Sequence, residues 1–167
     1  MAVCPIRLFP DACLSRPCAN VQNSGRTLLK IIVDLRDTLA ASPGVGLAAP
    51  QIGILERISV IDVERSKRIA HSTNHGLLIL INPRLLEGHG LQIPREGCLS
   101  VPDLLGNVRR YEMVLVETQL LEGGTKIIRA EGFEALALQH ELDHLDGKLF
   151  LDRVLNLKTD VFRRKNL

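Results

Sequence analysis

The sequence predicts an α+β fold. Three observations carry that expectation: an apolar helical stripe near the amino terminus, a series of short β-rich runs through the middle, and a second helix that turns two histidines to one face. Asn23 or Ser24 is placed to cap the first helix, which runs to about Ala41, because Leu28, Ile32, Leu35 and Leu39 recur at helical spacing. Ser42-Pro43-Gly44 ends it. Four β-rich runs follow, Ile58 to Ile61, Leu77 to Ile81, Met113 to Thr118 and Lys126 to Arg129. Val114, Val116 and Thr118 alternate with Leu115 and Glu117, as a sheet lying over a helix requires. Glu122-Gly123-Gly124-Thr125 reads as a turn, which makes the last two strands a hairpin. The second helix starts near Gly132 and carries Phe133, Leu136, Ala137, His140 and His144, with Gly147 where a helix end favours a left-handed residue. The tail from Asn156 to Leu167 reads as a short surface helix.

At 167 residues the chain fits one domain, 1–167, with 152–167 as a short tail. A net charge of +2 gives no overall field for DNA or anionic lipid. With no Trp, one Tyr and four Phe, a stacking surface for nucleic acid is not expected. Leu77 to Ile81 is too short to cross a membrane, and Pro5, Arg7, Pro10 and Asp11 interrupt any signal-like apolar segment, so the cytoplasm is the expected location. That compartment favours reduced, partly buried thiols at Cys4, Cys13 and Cys18, with a Cys13–Cys18 bridge or an N-terminal metal site as the alternative.

His140-Glu141-Leu142-Asp143-His144 is an HExxH match. Its two imidazoles project from one helix face about one turn apart, so they can share one divalent ion, and Glu141 lies beside the first as a proton acceptor. Phe133, Leu136 and Ala137 share that face and turn it inward, while Asp143 and Asp146 lie on other faces, available for solubility or for contacts behind the ligands. A catalytic ion takes three protein ligands and leaves one position open. His71 and His75 sit among polar, turn-forming neighbours and read as loop residues. Cys98, in Arg95-Glu96-Gly97-Cys98-Leu99-Ser100, is the better third ligand, since a thiolate beside two imidazoles suits iron(II) or zinc. Gly44-Val45-Gly46-Leu47-Ala48-Ala49-Pro50-Gln51 superficially matches a dinucleotide fingerprint, but it follows a helix, and Pro50 and Gly53 interrupt the helix it should open. It reads better as a binding strand that ends in an oxyanion donor, Gln51.

Together these segments resemble the three motifs of the peptide deformylase family: G-x-G-x-A-A-x-Q at Gly44 to Gln51, E-G-C-x-S at Glu96 to Ser100, and Q-H-E-x-D-H at Gln139 to His144. Phe9-Pro10-Asp11, Ile81-Asn82-Pro83 and Leu149-Phe150-Leu151-Asp152 extend the likeness over nearly the whole chain, which is of the bacterial type without an insertion between the first two motifs. The resemblance implies antiparallel or mixed sheets around a central HExxH helix. It implies that Cys98, His140 and His144 hold one ion, iron(II) with zinc or nickel able to substitute, and that Glu141 carries the proton between water and the leaving amine. Gln51 and the Leu99 backbone N–H would hold the oxyanion, and Val45-Gly46 would pair with a formylmethionyl nascent peptide. Phe133, Leu136 and Ala137 would line the methionine pocket. Glu96 would orient the cysteine loop with Arg110 as ion-pair partner, against the alternative of an ordinary surface pair. A weak ribosome contact through Arg163-Arg164-Lys165 is also compatible, against the favoured alternative of a solvated basic end, as is an organelle form. The segment after Pro102, Asp103 to Asn107, lacks the arginine that some bacterial members carry there. A zinc endopeptidase and a catalytically idle metal module are the competing readings of the HExxH helix.

Overall fold

The structure is a computed structural model that describes residues 3–22, 25–66 and 74–164. Two antiparallel sheets and two helices organise the described residues. Helix α1 spans Arg26–Ala40 and helix α2 spans Gly132–Leu145. The strands are β1 (Gly46–Ala48), β2 (Ile58–Asp62), β3 (Leu77–His89), β4 (Arg95–Cys98), β5 (Val101–Asn107), β6 (Met113–Gln119), β7 (Thr125–Glu131) and β8 (Val161–Arg163). The larger sheet has the order β1-β2-β3-β6-β7 and the smaller β4-β5-β8, so β1 and β4 are both edge strands.

Strand alternation divides the core between the two helices. Ile58 and Val60 of β2, with Ile79 and Ile81 of β3, face Leu28, Ile31, Ile32, Leu35 and Leu39 of α1. Ile61, Leu78 and Leu80 point the other way, toward Ala135, Ala137, Leu138 and Leu142 of α2. The large sheet is therefore filled on both faces. α2 is covered almost all round; the small sheet meets it through Glu96 and Cys98 of β4, while Cys98 and Val101 pack with Leu14, Leu149 and Phe150 in a cluster of their own. Two buried polar side chains of α2 are tied to backbone, Gln139 bonding Tyr111 at both N and O and Glu134 accepting from the His75 backbone at 2.9 Å, whereas Glu141 Oε2 and His144 Nδ1 have no hydrogen-bond partner among the described residues.

The expected hairpin is present, with β6 and β7 paired from Met113↔Glu131 to Gln119↔Thr125, and Gly123 and Gly124 supply the positive φ of its turn. The expected helix caps, Asn23 and Ser24, lie outside the described residues, as does His71. The third strand runs well past Ile81 to His89, because a register shift between Ile81 and Arg84 accommodates Pro83, which has no N–H to donate. The tail expectation is overturned. Residues 161–163 form a strand on β5, not a helix, because pairing with the β5 edge anchors the segment, whereas a short isolated helix is marginal on its own.

Leu138 is fully buried between α2 and the large sheet. Leu138→Ala is expected to lower unfolding free energy by about 2–5 kcal/mol, read from urea titration.

Candidate metal centre

Four chain segments meet around α2, and each reaches the site by a different local device. The i, i+4 spacing of His140 and His144 stacks their rings edge to face, with centroids 4.9 Å apart. Cys98 is the last residue of β4, paired with Val101 across the tight Leu99-Ser100 turn, which aims its Sγ at the helix. Cys98 Sγ lies 3.2 Å from His144 Nε2, and one donor atom from each of Cys98, His140 and His144 falls within 4.8 Å of the others. Tetrahedral ligation by one sulfur and two nitrogens separates the donors by roughly 3.4–3.6 Å, so the three fit a single ion after small movements. A soft thiolate with two imidazoles suits iron(II) or zinc.

The electrostatics agree with that donor set. Burial acts to raise the Cys98 thiol pKa, but the two imidazoles outweigh it and hold the thiol well below its usual range. Burial acts to lower His140, and Cys98 and Glu96 reverse the sign, so its pKa is raised. His140 Nδ1 is 3.0 Å from Glu96 Oε2, which leaves Nε2 to face the sulfur side. Glu96 in turn takes two bonds from Arg110, at 2.7 and 3.0 Å, and Arg110 reaches Asp143 at 2.6 Å. Asp143 also pairs with Arg153 at the surface. Against its burial, His140 and Arg110 hold Glu96 at about 2. Glu96 and Arg110 are thus a buried pair behind a histidine and not an ordinary surface pair. Asp143 is the companion that the sequence had offered either to solubility or to such a contact.

Glu141 sits beside the donors, 3% exposed, with Oε2 lacking a hydrogen-bond partner among the described residues. Burial raises its pKa to about 7 against the opposing pull of His144 and His140. Gly46 makes room for it: a Cβ there would overlap the Glu141 carboxylate. Gln51 is fixed at both ends of its amide, Oε1 accepting from Ala48 N at 2.9 Å and Nε2 donating to Ser100 Oγ at 3.1 Å. Its Nε2 stands 3.6 Å from Cys98 Sγ. The extended N-terminal segment ties these pieces together, through Arg7 N to Gln51 O at 2.7 Å and Phe9 N to Ser100 O at 2.8 Å.

One cleft of about 180 Å³ opens onto this cluster, and all the residues expected at the substrate side line it: Val45, Gly46, Phe133, Leu136 and Ala137, with Gln51, Leu99, His140 and Glu141. Sequence reasoning missed Pro94, Arg95 and Gly97 as lining residues, and Ser100 as the anchor of Gln51. The place of Ser100 as the last residue of the E-G-C-x-S motif was the available signal. Cys4, Cys13 and Cys18 stay outside the site as free thiols. Burial pushes Cys18 up to about 11.

An HExxH helix, a cysteine whose sulfur could join its two histidines on one ion and a narrow apolar cleft fit one class, the metal-dependent hydrolases. The polypeptide deformylase family model matches residues 3–160. A peptide deformylase of Syntrophobacter fumaroxidans is 40% identical over 165 residues, 99% of this chain and 94% of the relative. The crystal structure of a peptide deformylase from Legionella pneumophila superposes with a TM-score of 0.84 at 39% identity, covering 94% of this chain and 89% of that one. A Met-Ala-Ser-bound class I type b peptide deformylase from Acinetobacter baumannii gives 0.83 at 32% identity, covering 92% of this chain and 100% of that one. The chain belongs to the polypeptide deformylase family, hydrolases that remove the N-formyl group from the terminal methionine of nascent peptides and release formate.

Two outcomes follow from the geometry. Cys98→Ala removes one of three donors and should weaken metal binding by about 10-fold or more, read by elemental analysis after dialysis; undiminished metal content would exclude Cys98 as a ligand. Gly46→Ala should displace the Glu141 carboxylate and lower kcat by on the order of 10²-fold while metal content stays at the parent level.

Proposed function

We propose that Cys98, His140 and His144 hold one divalent ion per chain, iron(II) with zinc or nickel able to replace it, and that Glu141, Gln51 and Leu99 carry out deformylation around it. The observation that carries this reading is the buried Glu141 carboxyl, partnerless at Oε2 among the described residues and set in the same cleft as Cys98, His140 and the tethered Gln51 amide. When bound, the ion supplies Lewis acidity toward the formyl oxygen and makes water a nucleophile near neutral pH. Glu141 takes a proton from the attacking water and returns it to the departing amine, so formate and a free N-terminal methionine amine result. A carboxyl raised to about 7 can both accept and release that proton near neutral pH. The Gln51 Nε2 and the Leu99 backbone N–H receive the charge that develops on the formyl oxygen.

Substrate binding in this reading uses the two free edges at the cleft. Gly46 at the start of β1 with Val45 just before it, and Arg95 to Gly97 of β4, line the cleft, so an extended peptide can enter as an added strand. The methionine side chain then enters the apolar pocket of Phe133, Leu136 and Ala137. Met-Ala-Ser bound to the Acinetobacter baumannii relative supports a peptide beginning with methionine as the product here. Residues 1–167 act as one catalytic unit with 152–167 as its tail, working in the bacterial cytoplasm on formylmethionyl nascent chains. Arg163 and its basic neighbours give a weak ribosome contact. No helix among the described residues is long and apolar enough to cross a membrane.

The decisive comparison is formate release from formyl-Met-Ala-Ser against proteolysis of casein. Proteolysis without formate would replace this reading with an endopeptidase. Glu141→Ala is expected to retain metal and lose turnover, and full turnover in that variant would make the carboxyl a bystander. Gln51→Ala should lower kcat by about 10²-fold through loss of one oxyanion donor, seen in steady-state formate assays.

A further inference from the structure

We infer that Arg95 and Arg164 form a cationic subsite for the side chain of the second residue of the peptide, the one that follows methionine, and that this subsite favours an acidic residue there. The inference rests on the strand-addition reading above. Residues 94 to 99 all line the cleft in unbroken succession, which a strand can do only by presenting its edge. Side chains of a peptide paired to that edge alternate between the two faces of the small sheet. One face holds Glu96 and Cys98, turned toward α2 and the pocket of Phe133, Leu136 and Ala137. A methionine side chain in that pocket sends the next side chain to the opposite face.

That opposite face is built from Arg95, Gly97, Leu105, Asn107, Phe162 and Arg164. β4 and β5 pair Gly97 with Leu105 and Arg95 with Asn107, and β5 and β8 pair Leu105 with Phe162. The Arg95 guanidinium lies 4.0 Å over the Phe162 ring and donates to Asn107 Oδ1 at 3.4 Å, which holds it at the cleft rim. One strand position along, Arg164 is anchored by its backbone N to Asp103 O at 2.8 Å. Its guanidinium covers Gly97 so closely that a Cβ there would overlap it. Among the described residues the Arg164 guanidinium has neither an ion pair nor a side-chain hydrogen bond. Asp103, opposite Arg164 in the ladder, makes no ion pair with it, so two guanidiniums face one carboxylate and the local balance is cationic. The strand formed by residues 161–163 is what delivers Arg164 to this position.

The test compares kcat/KM for formyl-Met-Glu-Ser and formyl-Met-Lys-Ser with the metal-loaded, full-length enzyme at low ionic strength. Exposed charge contacts of this kind predict a Glu-over-Lys preference of about three- to tenfold, carried in KM and reduced by 0.5 M salt. Arg164→Gln should bring the ratio close to one, Asp103→Asn should increase it, and Arg163→Gln, which points to the other face of β8, should keep the parent ratio. Formate release from formyl-Met-Ala-Ser with equal rates on the Glu and Lys peptides would overturn the subsite while leaving the deformylase reading intact. Absence of formate from all three peptides would overturn the reading on which it rests. A preference that survives Arg164→Gln and Arg95→Gln together would assign it to other residues and refute the proposal.

Discussion

The site depends on a buried chain of charges that runs from the surface to one histidine: Arg153 to Asp143, Asp143 to Arg110, Arg110 to Glu96, and Glu96 to His140. Asp143 and His140 belong to α2, Glu96 to β4, and Arg110 to the segment between β5 and β6. Each charge is costly to bury alone, and removing any interior member leaves its neighbours unpaired. The chain therefore does more than orient a ring. It fixes the small sheet against the helix at the distance where the Cys98 sulfur meets His144. Without that register, a thiol on one element and two imidazoles on another would have no reason to converge.

A second constraint works from the opposite side. Gly46 lets β1 lie directly against Glu141, and Gln51 is held by its own backbone neighbour Ala48 and by Ser100. β1 thus serves both groups, with Gly46 against the carboxyl of α2 and Ala48 holding the amide, whose other end is tied to Ser100 in the turn between β4 and β5. Burial that lifts the carboxyl toward neutral pH is a product of that enclosure, since β1 excludes the water that would otherwise stabilise the anion.

Much of this was legible in the chain. The histidine pair, Cys98, Glu141 and Gln51 stand in short motifs whose residue types are chemically specific, and the four strands found from sequence are those with apolar or alternating runs. The small sheet was not legible as such. Arg95-Glu96-Gly97-Cys98 shows no apolar alternation because the inward side of β4 carries a carboxylate and a thiol, whose burial depends on partners 14 and 44–46 residues away. Val161-Phe162-Arg163 was misread as helical for a related reason. Its basic character suggested a solvated surface, whereas its strand conformation comes from pairing with β5 and from Phe162 lying beneath Arg95. Pro83 hid the second half of β3, since a proline inside a strand ordinarily argues against one.

The extended N-terminal segment has a consequence for how the enzyme comes into being. Its hydrogen bonds reach Gln51, Ser100 and, through Cys18 N, the Leu145 carbonyl at the end of α2. The segment therefore finds Gln51 early, but part of its hydrogen bonding stays unmet until Ser100 and then α2 have been made. Such long-range closure makes assembly late and cooperative. While it is being synthesised, a molecule of this protein cannot do the work that its finished copies do on other chains.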